Sequence, residues 1–442
     1  MFLTLGIYGM TGLIFMLAFG IPLVAAFLIV GVAGSASILS FDSALSLMGE
    51  TLYTSIASPT FTVLPLFVLM GAFAARGGFA ERAFNGVHII AARLPASLAI
   101  ASSYGSAFFA AICGSSMATA TVFGKVAFPA MMARNYDRPF ALGSIASSGT
   151  FACMIPPSGM FILFALFTGQ SVAALFMAGI IPGVLTATVY SLSMYLRAKW
   201  NPKLAPFSPE EATVTVTDRV RAGVSLWPII LLGGGIITGL YTGFFTATEA
   251  GGVGALGTMI FGFINGPLRK KGAVKASLRE TARTTTMLVF IIVTAMVFSR
   301  FLALTRLPMD LADFLGNWAV HRHIVLLCIM GLWFLLGMFM AQAAVFALTL
   351  PILFPVAQGL GYDPIWFCII AMKLNEIAGV SPPVGLNVFA LIGAVAGKDS
   401  DITIEEGYKG CLPFILCDIV VIALLLFFPE IATFIPHAMM GR

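Results

Sequence analysis

Ser147-Ser148-Gly149-Thr150-Phe151-Ala152-Cys153-Met154-Ile155-Pro156-Pro157-Ser158 puts two consecutive prolines inside an otherwise apolar segment, and the device returns 226 residues later in Ile377-Ala378-Gly379-Val380-Ser381-Pro382-Pro383-Val384. The match extends without a gap on both sides. Gly105, Phe108, Ala118, Phe128, Pro129, Tyr136, Asp137, Ala152 and Gly159 recur as Gly331, Phe334, Ala344, Phe354, Pro355, Tyr362, Asp363, Ala378 and Gly385. Each proline pair removes two helical donors and frees carbonyls such as those near residues 152–154, where lipid offers no partner. A duplicated apolar chain with matching broken helices reads as a secondary transporter, in which paired interruptions build one site shared by two halves.

Composition places both copies in a bilayer. The chain is 59% hydrophobic and 10% charged, with mean hydropathy +1.00, whereas roughly a quarter of the residues of a soluble protein are charged. Apolar runs of about 20 residues favour helices over a barrel, whose strands alternate every second residue. The first 40 residues lack a charged leader and a small-residue cleavage site, and read as a retained span. Six cysteines sit in apolar runs without CxxC spacing, which argues against a disulfide frame or a zinc site. A net charge of +5 spread over short loops points to no nucleic acid. His321 and His323 flank Arg322, an arrangement that suits a solvated loop better than a metal. Gly124-Lys125 is not a P-loop, because Val126 follows it and Thr119 stands five positions before Gly124. ATP is thus excluded as this chain's direct energy source, and an ion gradient takes its place: one charge moved across 100 mV supplies about 2.3 kcal/mol.

Hydropathy predicts spans near 10–37, 51–75, 139–169 and 174–197 with a longer block at 95–133, and then spans near 225–243, 246–266, 284–304, 365–396 and 411–434 with a second block at 324–357. Residues 198–222, with Pro202, Pro206, Pro209, Glu210 and Glu211, read as a cytoplasmic linker between repeats 1–197 and 223–442. Lys and Arg clusters at 197–221 and 269–283 mark the cytoplasmic side. Keeping Arg76, Arg82, Arg93, Arg134 and Arg138 on that side makes 95–133 a re-entrant hairpin. The odd span at 284–304 then brings 324–357 in from the opposite face, although Arg300, Arg306 and Arg322 fall outside on this count. The expected fold is all-α and polytopic, with inverted-topology repeats that each carry a hairpin and a broken helix. Segments 77–93 and 306–320 suit interfacial arm helices. Gly235, Gly239 and Gly243 repeat every fourth residue, a spacing that suits close packing within the chain.

The hairpin tips hold the candidate chemistry. Gly114-Ser115-Ser116-Met117-Ala118-Thr119-Ala120-Thr121 offers a turn and hydroxyl oxygens, which serve a cation, a carboxylate or merely their own helix. The second tip, Gly337-Met338-Phe339-Met340-Ala341-Gln342, replaces hydroxyls with an amide, and Gln342, Ser381 and Asn387 can bond a substrate. Lys373 and Glu376, three apart in an apolar helix, leave open a neutralising pair, a gate or a proton relay. Glu249 suits a turn or a docking surface, and Lys125 either snorkels or attracts an anion.

GSSMATAT (114–121), SSGTFACMIPPS (147–158), GLYTGFFTATEAGGVGAL (239–256) and NEIAGVSPPVGLNVF (375–389) together resemble the large membrane subunit of the tripartite ATP-independent periplasmic (TRAP) transporters, the DctM-like family. The resemblance covers essentially the whole chain. It implies an elevator-type sodium symporter of the bacterial inner membrane, with no cofactor beyond its coupling ions. It implies two partners, a small four-helix membrane subunit (DctQ-like) and a periplasmic binding protein (DctP-like) that delivers a small organic acid such as a sialic acid or a C4-dicarboxylate. Carried over by position, one sodium site uses Ser115 with backbone oxygens near Cys113, Ala152, Ile155 and Pro157, and the second uses Phe339, Ala341, Ala378, Ser381 and Pro383. Substrate is expected near Ser116, Thr119, Ser158, Gln342 and Asn387. Ala341 stands where relatives often carry aspartate, and Cys113 where serine is common. A passive channel or exporter of organic anions is the competing reading. An intramembrane enzyme is disfavoured, since neither a paired Asp, a His/Glu metal cluster nor a Ser/His set is present in the expected segments.

Overall fold

The computed structural model describes residues 2–207, 213–317, 322–396 and 401–440. Its helices in the first half are α1 Phe2–Ala18, α2 Leu23–Ile38, α3 Phe41–Ile56, α4 Pro59–Arg76, α5 Phe79–Ala91, α6 Ser97–Cys113, α7 Ser116–Met132, α8 Arg138–Gly149, α9 Phe151–Met154, α10 Gly159–Thr168 and α11 Val172–Trp200. The second half continues with α12 Val216–Ser225, α13 Trp227–Tyr241, α14 Ala247–Asn265, α15 Ala273–Thr305, α16 Leu307–Asn317, α17 Arg322–Phe339, α18 Gln342–Gly359, α19 Pro364–Val380, α20 Leu386–Val395, α21 Ile404–Phe427 and α22 Glu430–Met440. Among the described residues, seven helices are long and apolar enough to cross a membrane, or up to nine if each bent pair is one span, and no strand is formed. The spanning helices Val172–Trp200 and Ile404–Phe427 carry side chains such as Trp200 and Phe427, each about four-fifths exposed.

Both blocks are helical hairpins. In the first, α6 and α7 meet at Gly114, whose φ of +66° suits glycine, and Ser115, whose hydroxyl accepts from the Ala118 amide and caps α7. The Leu98 amide at the start of α6 donates to the Tyr136 hydroxyl just beyond α7, so the arms run antiparallel. In the second, Trp333 Nε1 of α17 donates to Thr349 Oγ1 of α18 at 2.7 Å and locks the arms together. Arm helices α5 and α16 precede the hairpins. Adding 226 to the bounds of α6 gives 323–339 against an observed 322–339, and adding it to those of α8 through α9 gives 364–380, the bounds of α19. Asp137 and Asp363 cap these helices alike, and the Pro156-Pro157 and Pro382-Pro383 peptides are both cis.

Several boundaries depart from the hydropathy reading. The span expected at 10–37 is two helices, because Gly20 takes a φ of +78° and Pro22 follows, which together end α1 before α2 begins. The span expected at 51–75 is α4, preceded by a separate helix, α3, which Ser40 caps. Helix α15 starts eleven residues before the expected 284 and carries Lys275, Arg279 and Arg283 on its first turns. The expected span at 411–434 is α21 plus α22, divided before Pro429. Of the glycine stripe, only Gly239 packs inside the chain, its missing Cβ leaving room for the Phe245 ring. Gly235 faces open space, and Gly243 ends a helix in the left-handed region. Pro209, Glu210 and Glu211 of the linker and His321 of the histidine pair lie outside the described residues.

Candidate functional site

A cavity of about 230 Å³ lies where the hairpin tips and the helix breaks converge. The first half contributes Cys113, Gly114, Ser115 and Ser116 from one tip, Cys153 from the break, and Gly159 and Met160 at the start of α10. The second half contributes the counterparts at the same offset, Met340, Ala341 and Gln342, Gly379, and Leu386 at the start of α20 with Asn387 beside it. The remaining wall is α4 and α15, with Phe67, Val68, Gly71, Glu280, Thr284 and Leu288. These two wall helices are joined by an Arg76–Glu280 ion pair and by the Ser277 hydroxyl donating to the Ala72 carbonyl at 3.1 Å.

Four helices therefore begin at one cavity: α7 at Ser116, α10 at Gly159, α18 at Gln342 and α20 at Leu386. A helix N-terminus presents unsatisfied N–H groups and about half a positive charge. Four of them in one low-dielectric space favour an anion without any cationic side chain. Two amides refine the site. The Gln342 side chain donates to the Asn375 carbonyl at 3.1 Å and accepts from the Cys153 thiol at 2.9 Å, tying the two breaks together. Asn387 is 1% exposed and its Nδ2 has no protein acceptor, so it is a donor held ready for a ligand. Gly379 keeps the space open, since a Cβ there would lie 3.5 Å from Asn387 Nδ2 and 3.7 Å from Gln342 Nε2.

The expected substrate residues divide. Ser116, Gln342 and Asn387 line the cavity, whereas Thr119 and Ser158 do not. Thr119 spends its hydroxyl proton on the Ser115 carbonyl at 2.9 Å, and Ser158 caps α10 by accepting from the Met160 amide. Both local bonds are the ordinary use of a hydroxyl at a helix start. Of the residues expected around sodium, Cys113, Ser115 and Ala341 line the cavity, while Ala152, Ile155, Pro157, Phe339, Ala378, Ser381 and Pro383 lie off it. The Phe339 side chain is exposed, and the Ser381 hydroxyl donates to the Ile377 carbonyl at 2.7 Å, leaving only its lone pairs for a cation. The Cys113 carbonyl abuts α4, where a Cβ on Gly71 would come within 2.2 Å of it. Prolines 156 and 157 deny the Ala152 and Cys153 carbonyls their helical donors. In the second break the Ala378 carbonyl instead accepts from the Ser381 amide at 3.2 Å. The two breaks are thus alike in path and unlike in hydrogen bonding.

Lys373 and Glu376 do pair, at 2.7 Å, but they are part of a larger cluster that the hydropathy reading missed. The Lys373 ammonium also meets Asp418 Oδ1 at 2.6 Å and Thr186 Oγ1 at 3.2 Å, and Tyr190 donates to Asp418 Oδ2 at 2.7 Å. All three charged side chains are fully buried, and the cluster joins α11, α19 and α21. The signal available in sequence was Asp418 itself, a lone acid in the apolar run of α21. Lys125 is exposed and off the cavity. Glu249 forms a capping box with Thr246, which accounts for it as a helix start.

Comparison with known proteins identifies the family. The family model for the tripartite ATP-independent periplasmic transporter, DctM component, matches residues 10–431. A C4-dicarboxylate TRAP transporter large permease protein DctM from Pseudomonas aeruginosa is 32% identical over 92% of this chain and 93% of its own. A sialic acid TRAP transporter large permease protein SiaM from Vibrio cholerae is 28% identical over 98% of both. An isethionate TRAP transporter permease protein DctMQ from Oleidesulfovibrio alaskensis is 30% identical over 93% of this chain but only 65% of its own. In fold, the chain is similar to the crystal structure of the Alcanivorax borkumensis YdaH transporter, with a TM-score of 0.64 at 13% identity over 89% of this chain and 90% of that one. These matches identify a multi-pass inner-membrane transport protein rather than an enzyme. The chain belongs to the DctM family, the large membrane component of tripartite ATP-independent periplasmic transporters.

Proposed function

We infer that this chain is the carrier subunit that takes up a small organic acid with sodium, moving the hairpins and broken helices as one body against the other helices in an elevator cycle. The convergence of four helix N-termini on one cavity between two tips supports this reading, because fixed dipoles there favour an anion. Two inverted repeats, 1–197 and 223–442, give the cavity its paired construction. Carbonyls released at the double prolines, with Ser115 and the lone pairs of Ser381, supply hard oxygen ligands for sodium on each side of the anion. Bound sodium then offsets the carboxylate's charge.

A periplasmic binding protein presents the acid, and a small membrane subunit covers part of the exposed helix surface. The isethionate permease DctMQ, of which this chain spans about two thirds, supports the small-subunit partner. Net uptake into proteoliposomes, with the binding protein present, tests the whole reading. Uptake is expected to require an inward sodium gradient, and Ser115→Ala and Ser381→Ala are each expected to shift the sodium titration to higher concentration. Uptake indifferent to sodium and to the binding protein would instead establish the passive-channel reading, and unchanged titrations in both variants would remove the ion assignments.

A further inference from the structure

Cys153 occupies the place that Gly379 holds in the second repeat, so the two halves meet the cavity with a thiol on one side and open space on the other. Building on the carrier reading above, we propose that Cys153 is a positioning residue for the substrate's carboxylate: it fixes the Gln342 amide so that this amide and that of Asn387 donate to the carboxylate over Gly379.

The orientation of Gln342 follows from its two neighbours. The Asn375 carbonyl can only accept, so the amide nitrogen faces it, at 3.1 Å. The amide oxygen then needs a donor, and the Cys153 thiol supplies one at 2.9 Å. Cys153 is 1% exposed, so water does not compete with this otherwise weak donor. Ser116 of the first tip adjoins the same thiol, which places Cys153 between the two tips. Among the described residues Gln342 Nε2 makes the one bond to Asn375, and its second proton is uncommitted. Asn387 Nδ2 has no protein acceptor at all. Both nitrogens flank a single point, since a Cβ on Gly379 would lie 3.7 Å from the first and 3.5 Å from the second. The glycine leaves that point open, and two donors beside it suit the two oxygens of a carboxylate. Gln342 and Leu386 open α18 and α20, so the positive ends of both helices reinforce the pair. With an apolar side chain at 153 the Gln342 oxygen would lose its donor, and an amide turned to find another would withdraw its N–H from the carboxylate.

The test is thermal stabilisation of the purified full chain in detergent and sodium by succinate, malate, pyruvate and N-acetylneuraminate, read as the concentration that gives half the maximal shift. Cys153→Ala is expected to raise that concentration about fivefold for the best acid, while Cys153→Ser, which restores a donor, stays within about twofold of wild type. In a Gln342→Ala background Cys153→Ala is expected to add nothing, because it acts through that amide. Gly379→Ala, whose methyl meets only ordinary contacts, is expected to leave the unliganded midpoint unchanged and to weaken binding roughly tenfold by filling the point between the amides. Should Cys153→Ala fail to fold, Cys153→Val takes its place, removing the donor while keeping the volume. The proposal is overturned if no acid of the panel stabilises the wild-type chain, if loss of the thiol leaves binding unchanged, if Cys153→Ser binds as poorly as Cys153→Ala, or if the effect persists in the Gln342→Ala background. Binding unmoved by Gly379→Ala overturns the two-amide clamp as well. A sodium-dependent response indifferent to Cys153 removes this assignment and leaves the carrier reading standing. A Cys153-dependent response that ignores sodium supports the assignment and strikes the carrier reading alone.

Discussion

Lys373 is the residue on which the buried electrostatics turn. Its ammonium donates to Glu376 and Thr186 and forms an ion pair with Asp418, all in a fully buried setting. Removing one partner of such a group leaves charge stranded in low dielectric, which typically costs about 3–5 kcal/mol. Lys373→Met is therefore expected to destabilise the protein by about that amount, read as a lower midpoint in thermal unfolding, because two carboxylates are left facing each other. Adding Asp418→Asn and Glu376→Gln to that variant is expected to recover most of the loss; no recovery would mean that Lys373 acts through packing. At the cavity, Asn387→Ala is expected to weaken carboxylate binding about tenfold while leaving unfolding within roughly 0.5 kcal/mol, since its Nδ2 bonds nothing in the protein. The Lys373–Glu376 pair was legible in sequence as an i,i+3 contact on one helix. Asp418 was not, because its place beside Lys373 depends on how α19 packs against α21. Thr119 and Ser158 show the opposite case: their type suits a ligand, but the Ser115 carbonyl one turn back and the Met160 amide two residues on engage their hydroxyls, and neither lines the cavity.

Helices and hairpins reproduce the sequence most faithfully where a local rule fixes them. The tips at Gly114-Ser115 and Met340-Ala341, the breaks at both proline pairs and the caps at Asp137 and Asp363 all follow from residue types at a constant offset. The unseen division of α1 from α2 shows what hydropathy averages away, since Gly20 and Pro22 are two residues in an unbroken apolar run. Contact between elements was illegible altogether. Gly71 is the clearest case: α4 approaches the first tip so closely that a Cβ would lie 2.2 Å from the Cys113 carbonyl, and backbone on that side cannot swing away as a side chain would. Gly71→Ala is therefore expected to lower counterflow by about tenfold or more, since misplacing a site by even 1 Å can cost about a hundredfold. Gly234→Ala, at a helix position facing open space, serves as the control and is expected to leave counterflow unchanged.

For the whole molecule, the decisive question is whether the hairpins travel relative to α4, α14 and α15. The wall helices are cross-braced by the Arg76–Glu280 pair and by Ser277 on the Ala72 carbonyl, whereas the tip meets them through Gly71 and apolar side chains. An interface of small and apolar groups can slide, while one braced by ion pairs and buried hydrogen bonds resists it. Spin labels placed at exposed Lys125 on α7 and exposed Leu256 on α14, in a background without Cys328 and Cys417, report that movement. A second pair at exposed Tyr53 on α3 and Leu256 reports on the wall and its neighbours alone. Adding sodium with a transported acid is expected to shift the first distance distribution by about 5 Å, one helical turn, or more, and to leave the second in place. The shift is expected to need a higher sodium concentration in Ser115→Ala, since a ligand moves an equilibrium only by its differential affinity for the two states. Were both distances to stay fixed under saturating sodium and acid, the two tips would be a static gate around a fixed cavity, and the elevator reading would have to be abandoned even with the anion site intact.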